Sequence, residues 1–226
     1  MKKHVRKIVL VLLAVLLVLG GFTPALAVDM EDVFPNNWFY RYVMRALDVG
    51  LITNESENGF YFEPHRSVTR AEFITMLGRL HEYGEDNTID IPVDGTSYGR
   101  YLTWSVEMGI VQGNQHGDLM PHAPITREQM AVIVDRYIRV FELWRHFPGG
   151  TPNLHPHRDH REGSDWAFRA VMDMAEYRLI HADHWGGVGW YFRPRANLSH
   201  AEAVTVFVRM YRGLYEGLRP MMPEEN

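Results

Sequence analysis

The sequence predicts an all-α fold built from three helix-loop-helix repeats. The first observation is a tetrapeptide that occurs three times, at residues 69–72 (TRAE), 126–129 (TREQ) and 199–202 (SHAE). The second is a run of apolar residues with helical spacing after each tetrapeptide, and the third is a proline turn before it. Because the features keep the same order and offsets, we interpret them as copies of one structural unit.

Each tetrapeptide has the composition of a helix capping box. The hydroxyl of a Ser or Thr accepts a hydrogen bond from the backbone in the first turn, and a Glu or Gln three residues later bonds back to the N–H of the cap residue. The tetrapeptides therefore predict three helix starts. The residues assigned to this structural role are Thr69, Glu72, Thr126, Gln129, Ser199 and Glu202.

Apolar residues follow each predicted cap with the i, i+3, i+4, i+7 spacing that places them on one helix face. They are Phe73, Met76, Leu77 and Leu80; Met130, Ile133, Val134 and Tyr137; and Ala203, Val206, Phe207 and Met210. Each repeat is therefore expected to contribute one helix with a buried stripe.

A proline stands five residues before each cap, with a large apolar residue two positions before the proline. The three pairs are Phe62 and Pro64, Leu119 and Pro121, and Phe192 and Pro194. The constant offset predicts a fixed turn whose apolar residue enters the core.

A first helix is predicted upstream of each turn. It is expected to end at Gly50 in the first repeat and at Gly109 in the second, because Gly favours the left-handed C-terminal cap. The third repeat has Arg178 at this position. Since a non-Gly residue costs more in that conformation, we expect a local adjustment in the third repeat.

A tryptophan precedes the first helix in two repeats, at Trp38 and Trp166, whereas the second repeat has Ser97. A tryptophan at a helix entry either stacks on the apolar face of a sugar ring or fills the core between helices, and both interpretations stay open. Asp32 lies a few residues earlier. Its simplest role is that of a helix N-cap.

Residues 1–27 have the pattern of a secretory signal peptide. Basic residues precede an apolar run from Ile8 to Leu19, and Ala25-Leu26-Ala27 follows as a cleavage site. An uncleaved membrane anchor is the alternative, although a spanning helix needs roughly 20 apolar residues. We expect a secreted chain with no membrane contact after signal cleavage.

The remaining chain divides into two adjacent repeats, a linker, a third repeat and a flexible tail. The predicted bounds are 28–82, 83–140, 141–158, 159–216 and 217–226. Four of the 23 basic residues lie in the signal peptide and all 28 acidic residues lie beyond it, so the mature net charge is −9 with His neutral. This balance argues against nucleic acid as a partner.

Metal binding and catalysis have little support in the sequence. The chain has no cysteine, which excludes disulfides and thiolate metal sites. The linker histidines His155, His157 and His160 invite a zinc hypothesis, but their spacing is not helical and no carboxylate cluster accompanies them, so we expect no metal and no cofactor. No catalytic motif such as Gly-x-Ser-x-Gly or His-Glu-x-x-His is present, so we expect a binding protein rather than an enzyme.

The tryptophan, the Gly-Leu-Ile helix ending, the Phe-x-Pro turn and the TRAE box together resemble the S-layer homology (SLH) family. The resemblance covers about residues 30–214 as three tandem modules. It implies a pseudo-threefold arrangement around a central helical bundle, with ligand grooves between neighbouring modules. It also implies non-covalent attachment to an anionic, pyruvylated secondary cell-wall polymer, at the bacterial cell wall or S-layer.

The resemblance assigns the ligand arginine of this family to Arg70 and Arg127, and the third repeat has His200 instead. Since histidine is only partly charged near neutral pH, we expect one or two working grooves rather than three. Independently, an arginine in the first turn opposes the helix dipole, and a carboxylate ligand on free N–H groups would compensate. The alternative is a surface ion pair of Arg70 with Glu63 or Glu72.

A second interpretation is an adaptor or assembly subunit that holds another exported protein at the cell surface. It is motivated by the anchoring role of S-layer homology modules, which attach a cargo domain that we do not find in this chain. The candidate partner surfaces are the tail and the aromatic linker residues Phe141, Trp144 and Phe147.

Overall fold

Three helix pairs make up the fold. In the computed structural model they are α1 (Tyr40–Asp48) and α2 (Arg70–Glu82), α3 (Gly99–Glu107) and α4 (Arg127–Val140), and α5 (Asp165–Glu176) and α6 (His200–Tyr215). A short 3-10 helix, Leu143–His146, follows α4. Two-residue strands, β1 (Asp183–His184) and β2 (Trp190–Tyr191), pair antiparallel between α5 and α6. The prediction of an all-α fold is confirmed, with this small ladder as an addition.

The structure describes residues 30–53, 61–84, 87–92, 95–147, 162–180, 183–184 and 190–217. The predicted signal peptide (1–27), the three linker histidines and all but the first residue of the tail (217–226) lie outside these ranges. Within the described segments, no helix is long and apolar enough to cross a membrane.

All three capping boxes form as predicted. The cap hydroxyls of Thr69, Thr126 and Ser199 accept from the N–H three residues later at 3.2, 3.3 and 3.3 Å. The return bonds from the cap N–H groups are 2.7, 3.1 and 2.8 Å long. These reciprocal bonds satisfy two backbone donors at each helix start and explain where α2, α4 and α6 begin.

The predicted apolar stripes are buried in all three second helices. Phe73 of α2 and Phe207 of α6 meet in the interior with ring centroids 4.8 Å apart. Each second helix also packs against the first helix of the next repeat: α2 against α3, α4 against α5, and α6 against α1. The last contact returns to the first repeat, so the helix pairs form a closed ring.

Three buried residues, one before each cap, mark the centre of this ring. The N–H of Val68 donates to the carbonyl of Leu198 at 2.9 Å, Leu198 donates to Ile125 at 2.8 Å, and Ile125 donates to Val68 at 2.9 Å. None of the three side chains is exposed to solvent. This cycle of backbone bonds gives the pseudo-threefold arrangement around a central core.

The local adjustment expected at the end of α5, the first helix of the third repeat, does not occur, so that prediction is wrong. Arg178 has a φ of 58°, close to the 72° of Gly50 and the 69° of Gly109. The N–H of Leu179 bonds the Met174 carbonyl at 3.0 Å, as the equivalent residues of the other repeats do. Leu179 is fully buried, and the free energy gained by this helix ending exceeds the roughly 1–2 kcal/mol that the left-handed conformation of an arginine costs.

Asp32 does not cap α1, contrary to its simplest interpretation. Its carboxylate accepts from the N–H groups of Phe62 and Glu63 at 2.8 and 2.6 Å. The N-cap of α1 is Phe39, whose side chain makes no capping bond. Asp32 therefore holds the proline turn of its own repeat.

Candidate ligand sites between repeats

The residue after each helix cap reaches the proline turn of the next repeat. The Nε atoms of Arg70 and Arg127 donate to the carbonyls of Leu119 and Phe192 at 2.8 and 2.6 Å, and Nδ1 of His200 lies 2.7 Å from the carbonyl of Phe62. We call these contacts the first (Arg70 and Leu119), second (Arg127 and Phe192) and third (His200 and Phe62) junctions. They place the predicted ligand residues between neighbouring repeats, where the family resemblance implies its grooves.

The residue before each turn proline adopts a left-handed conformation. Glu63, Met120 and Arg193 have φ angles of 57°, 51° and 53°. None is a glycine, so each conformation costs free energy. In every repeat, this left-handed residue comes directly after the residue whose carbonyl accepts the junction hydrogen bond. The sequence carries no signal for it, because the three residues share no side-chain chemistry.

The backbone N–H groups at the second helix starts are already occupied. In α2 the N–H of Arg70 donates to Ala123 at 3.0 Å and that of Ala71 donates to Pro121 at 2.9 Å. Helices α4 and α6 make the equivalent bonds to the turns that follow them in the ring. The expectation of free N–H groups for an anion is therefore wrong, and only side chains remain to bind one.

The first junction brings together two arginines that have no carboxylate within ion-pair distance among the described residues. Arg70 is half-buried, and its Nη2 donates to the backbone carbonyl of Gln112 at 3.3 Å. Nη2 of Arg136 donates to the side-chain oxygen of the same Gln112 at 3.2 Å. Neither arginine forms an ion pair within the described part of the chain. Burial lowers the pKa of Arg70, because nothing there compensates its charge.

The alternative ion pair of Arg70 with Glu63 or Glu72 is wrong. Both carboxylates bond instead to Arg66, at 3.2 and 2.9 Å.

Arg136 was missed by the sequence reasoning. An arginine stands ten residues after each cap, at Arg79, Arg136 and Arg209. Nη1 of Arg136 donates to the Ile110 carbonyl at 3.4 Å and Nη1 of Arg209 to the Leu179 carbonyl at 3.2 Å, just beyond the end of a first helix. The recurring arginine ten residues after the cap was the signal that could have identified Arg136. This spacing predicts the contact with the helix end and does not predict the contact with Gln112.

In the second junction the arginine has a carboxylate partner from the next repeat. The side chain of Arg127 is 5% exposed, and its Nη1 forms an ion pair with Oε1 of Glu202, the last residue of the third capping box. Its guanidinium also lies 4.9 Å from the ring centroid of Phe192. Arg193 bonds the same Glu202 oxygen at 3.0 Å. Arg127 therefore has a buried carboxylate partner that Arg70 lacks.

The third junction presents a neutral imidazole. The ring of His200 stacks on Phe62 with centroids 4.3 Å apart. Since a carbonyl can only accept, Nδ1 carries the proton in the bond to Phe62. Burial lowers the pKa of His200, so the ring stays uncharged near neutral pH.

The two tryptophans lie at the surface rather than in the core. Trp38 and Trp166 are each 59% exposed, while the residues that follow them, Phe39 and Ala167, are buried. Phe39 has its ring centroid 6.2 Å from that of Phe62, which places Trp38 on the side of the third junction. The interpretation that the tryptophans fill the core is wrong.

The second repeat presents different aromatic chemistry. Ser97, the equivalent of the tryptophans, is exposed. The hydroxyl of Tyr98 lies 3.2 Å from Nε2 of His122. His122 stands between Pro121 and Ala123, whose carbonyls accept from α2. A tyrosine and a histidine therefore flank the first junction, without a tryptophan from this repeat.

Among the described residues, no three His, Asp or Glu side chains are grouped so that they hold a metal ion. The linker histidines His155, His157 and His160 fall outside that part of the chain, so the structure does not test the zinc hypothesis for them.

Comparison with known proteins identifies relatives of this chain. The S-layer homology domain model matches residues 30–74 and 92–131. The chain is 26% identical to an endoglucanase of Bacillus sp. (strain KSM-635) over 216 residues, which are 90% of this chain and 22% of the relative. It is 28% identical to an amylopullulanase of Thermoanaerobacterium thermosulfurigenes over 64% of this chain and 8% of the relative.

A third relative is the surface-layer 125 kDa protein of Lysinibacillus sphaericus. It is 27% identical over 49% of this chain and 10% of its own length. The chain thus spans about a fifth or less of the length of these relatives. The S-layer homology domain is an anchoring module rather than a catalytic one, and its occurrence is typical of proteins held at the bacterial surface. The two matched segments, together with the ring of capped helix pairs, identify S-layer homology domain sequence in this chain.

Proposed function

We propose that the protein attaches non-covalently to an anionic, pyruvylated secondary cell-wall polymer, and that the first junction is its main binding site. The observation that carries this proposal is the convergence of Arg70 and Arg136 on Gln112, without a carboxylate partner among the described residues. A half-buried guanidinium with no counter-ion is stabilised when an acidic ligand supplies one.

The geometry favours a carboxylate attached to a sugar. A planar guanidinium pairs well with a carboxylate, and two arginines on one glutamine provide more than one donor. Tyr98 flanks the junction and offers a flat ring for the apolar face of a sugar. A pyruvyl ketal combines both features, because it fixes a carboxylate on a pyranose ring.

The relatives support an anchoring role. An endoglucanase matches 90% of this chain with only 22% of its own length, and a protein named for the surface layer matches about half of the chain. A segment shared by proteins of such different names is best explained by attachment to a common structure. This support concerns the role and not the chemistry of the polymer.

We extend the proposal to three modules, with bounds at 28–82, 83–140 and 159–216. The family model matches segments in the first two. The third helix pair has the same capping box, the same helix ending at Arg178 and the same left-handed turn residue at Arg193. These shared details support a third module despite its divergent sequence.

Trp38 and Trp166 are proposed to contact sugar rings of the same polymer. Their exposure supports this role, since a tryptophan that is 59% exposed has a large apolar face available. Trp38 lies toward the third junction, so its contact with the polymer would be at a different junction from that of Arg70. Replacing each with alanine should weaken polymer binding less than replacing Arg70.

The test is sedimentation of the secreted protein with purified wall sacculi, before and after extraction of the secondary polymer. The wild-type protein should sediment only with unextracted sacculi, and Arg70→Ala should reduce this binding by roughly tenfold or more. The matched control is Arg145→Ala, which removes the same charge from an exposed position away from the junctions.

Binding to extracted sacculi, or equal binding by Arg70→Ala and Arg145→Ala, would overturn the proposal. Circular dichroism and thermal unfolding of each variant separate loss of the site from loss of the fold.

The adaptor function remains a second proposal, with a smaller surface than the sequence suggested. Phe141 packs against Trp104 and His81, and Phe147 is buried. Trp144, which is 40% exposed, is the linker aromatic that a partner protein can reach. Purification of the protein from envelopes should yield a stoichiometric exported partner if it is an adaptor, and Trp144→Ala should release that partner.

A further inference from the structure

The last residue of each capping box has one side-chain atom, called the spare atom, that the return bond to the cap does not use, and in Glu202 this atom reaches the preceding repeat. Capping uses one side-chain oxygen: Oε2 of Glu72, Oε1 of Gln129 and Oε2 of Glu202 each accept from the cap N–H. Gln129 shows that an amide caps as well as a carboxylate does. Capping therefore does not determine whether this position is Glu or Gln, and the residue type can affect another property of the junction.

In the second junction the spare atom is a negatively charged oxygen. Oε1 of Glu202 forms the ion pair with Arg127 and also accepts from Arg193. The side chain of Glu202 is only 15% exposed, and its other oxygen is held by Ser199. An acidic ligand for Arg127 would have to displace a carboxylate that is anchored by the helix cap.

In the first junction the equivalent residue is Gln129, whose spare atom is neutral. The two junctions share one contact, since Arg70 and Arg127 both donate Nε to the carbonyl of the turn residue in the next repeat, whereas only Arg127 lies over an aromatic ring, that of Phe192. Arg70 turns its second donor to the Gln112 carbonyl instead of a carboxylate. The difference between positions 129 and 202 is one oxygen in place of one nitrogen, and it removes the internal counter-ion.

The third junction combines the two unfavourable features. Its cation is replaced by His200, and its capping residue, Glu72, is a carboxylate paired with Arg66. An acidic group placed there would meet Glu72 and no uncompensated guanidinium.

We propose that the final residue of the capping box selects which junction accepts an acidic ligand: Gln129 leaves Arg70 open, whereas Glu202 occupies Arg127 as an internal substitute for the ligand carboxylate. This selector rests on the proposed function, because it assumes that the ligand is acidic. It predicts one ligand site in the natural protein. It also predicts that substitutions at Gln129 and Glu202 change the number of sites.

The test exchanges the two residues in the secreted protein. The probe is a synthetic N-acetyl amino-sugar glycoside that carries a pyruvyl ketal, and its methyl ester serves as the uncharged control. Calorimetric titration should count about one site in the wild type, about two in Glu202→Gln, and a loss of roughly tenfold or more in affinity in Gln129→Glu. The double exchange should return one site, now dependent on Arg127.

The outcomes separate this proposal from the proposed function. If the wild type does not bind the probe, or binds it equally after Arg70→Ala, the proposed function fails. If the wild type binds through Arg70 but Glu202→Gln still has one site, the closing role of Glu202 is overturned. Unchanged affinity in Gln129→Glu overturns the role of Gln129. Since Gln129 already caps a helix, Glu202→Gln should fold, and thermal unfolding checks this.

Discussion

His200 in the last repeat stacks on Phe62 in the first, with ring centroids 4.3 Å apart, and its Nδ1 lies 2.7 Å from the Phe62 carbonyl. The contact is the third copy of the one that Arg70 and Arg127 make with the turns of the repeats that follow them. It therefore closes the ring of repeats. A neutral imidazole meets the structural requirement at this position without supplying a cation.

His200→Ala should lower the free energy of unfolding by about 2 kcal/mol, because it removes a ring contact and a partly buried hydrogen bond. Urea unfolding followed by circular dichroism measures the change. His146→Ala is the control, since His146 is exposed in the 3-10 helix. Equal midpoints for the two variants would contradict a structural role for His200.

Acidification should destabilise the protein through two histidines. Burial lowers the pKa of both His81 and His200 below the ordinary histidine value of about 6.5. The unfolded chain then binds protons that the folded protein excludes, so stability falls as pH drops from about 6.5 toward the folded pKa values and levels off below them. Each pKa unit of lowering corresponds to about 1.4 kcal/mol.

His81→Phe isolates the contribution of His81, which lies among Trp104, Tyr137 and Phe141. The variant should show a smaller loss of stability than the wild type between pH 6.5 and pH 5, measured by urea unfolding at each pH. Parallel pH curves for the two proteins would exclude His81 as a source of the effect.

The local parts of the fold were predictable from the sequence because they depend on neighbours in the chain. The capping boxes at Thr69, Thr126 and Ser199 and the buried stripes need only spacing and side-chain type. Arg178 shows the limit of such reasoning. Its intrinsic preference argued against a left-handed conformation, and the burial of Leu179 outweighed that preference.

The site was predictable only in part, because its properties depend on residues from the next repeat. Position alone marked Arg70 and Arg127 as equivalent. Only Arg127 has an ion-pair partner in the next repeat, Glu202, and the two residues meet only in the folded ring. The contact of Arg136 with Gln112 likewise requires the folded second repeat.

Met120 provides a test of the strained turn. Its φ is 51° and its side chain is exposed, so a substitution there loses little packing. Met120→Gly should be more stable than Met120→Ala by about 1 kcal/mol, because glycine adopts positive φ without a steric penalty. The comparison uses denaturant midpoints at constant temperature.

Thr103, exposed within α3, is the matched control for this comparison. There the order should reverse, with glycine less stable than alanine by about 1 kcal/mol, since the backbone is right-handed helix. The same order at both positions would show that the turn at Met120 relaxes when its side chain changes.

Arg127 and Arg70 should differ in their importance for stability, although they occupy equivalent positions. Arg127→Ala removes a buried ion pair with Glu202, a bond to the Phe192 carbonyl and the contact with the Phe192 ring, so we expect a loss of about 3 kcal/mol. Arg70→Ala removes two bonds to backbone carbonyls from a half-buried side chain and should cost about 1 kcal/mol. Urea unfolding of both variants measures the difference. If the two alanine variants are equally stable, the ion pair is not structural, and Arg127 is as free to bind a ligand as Arg70.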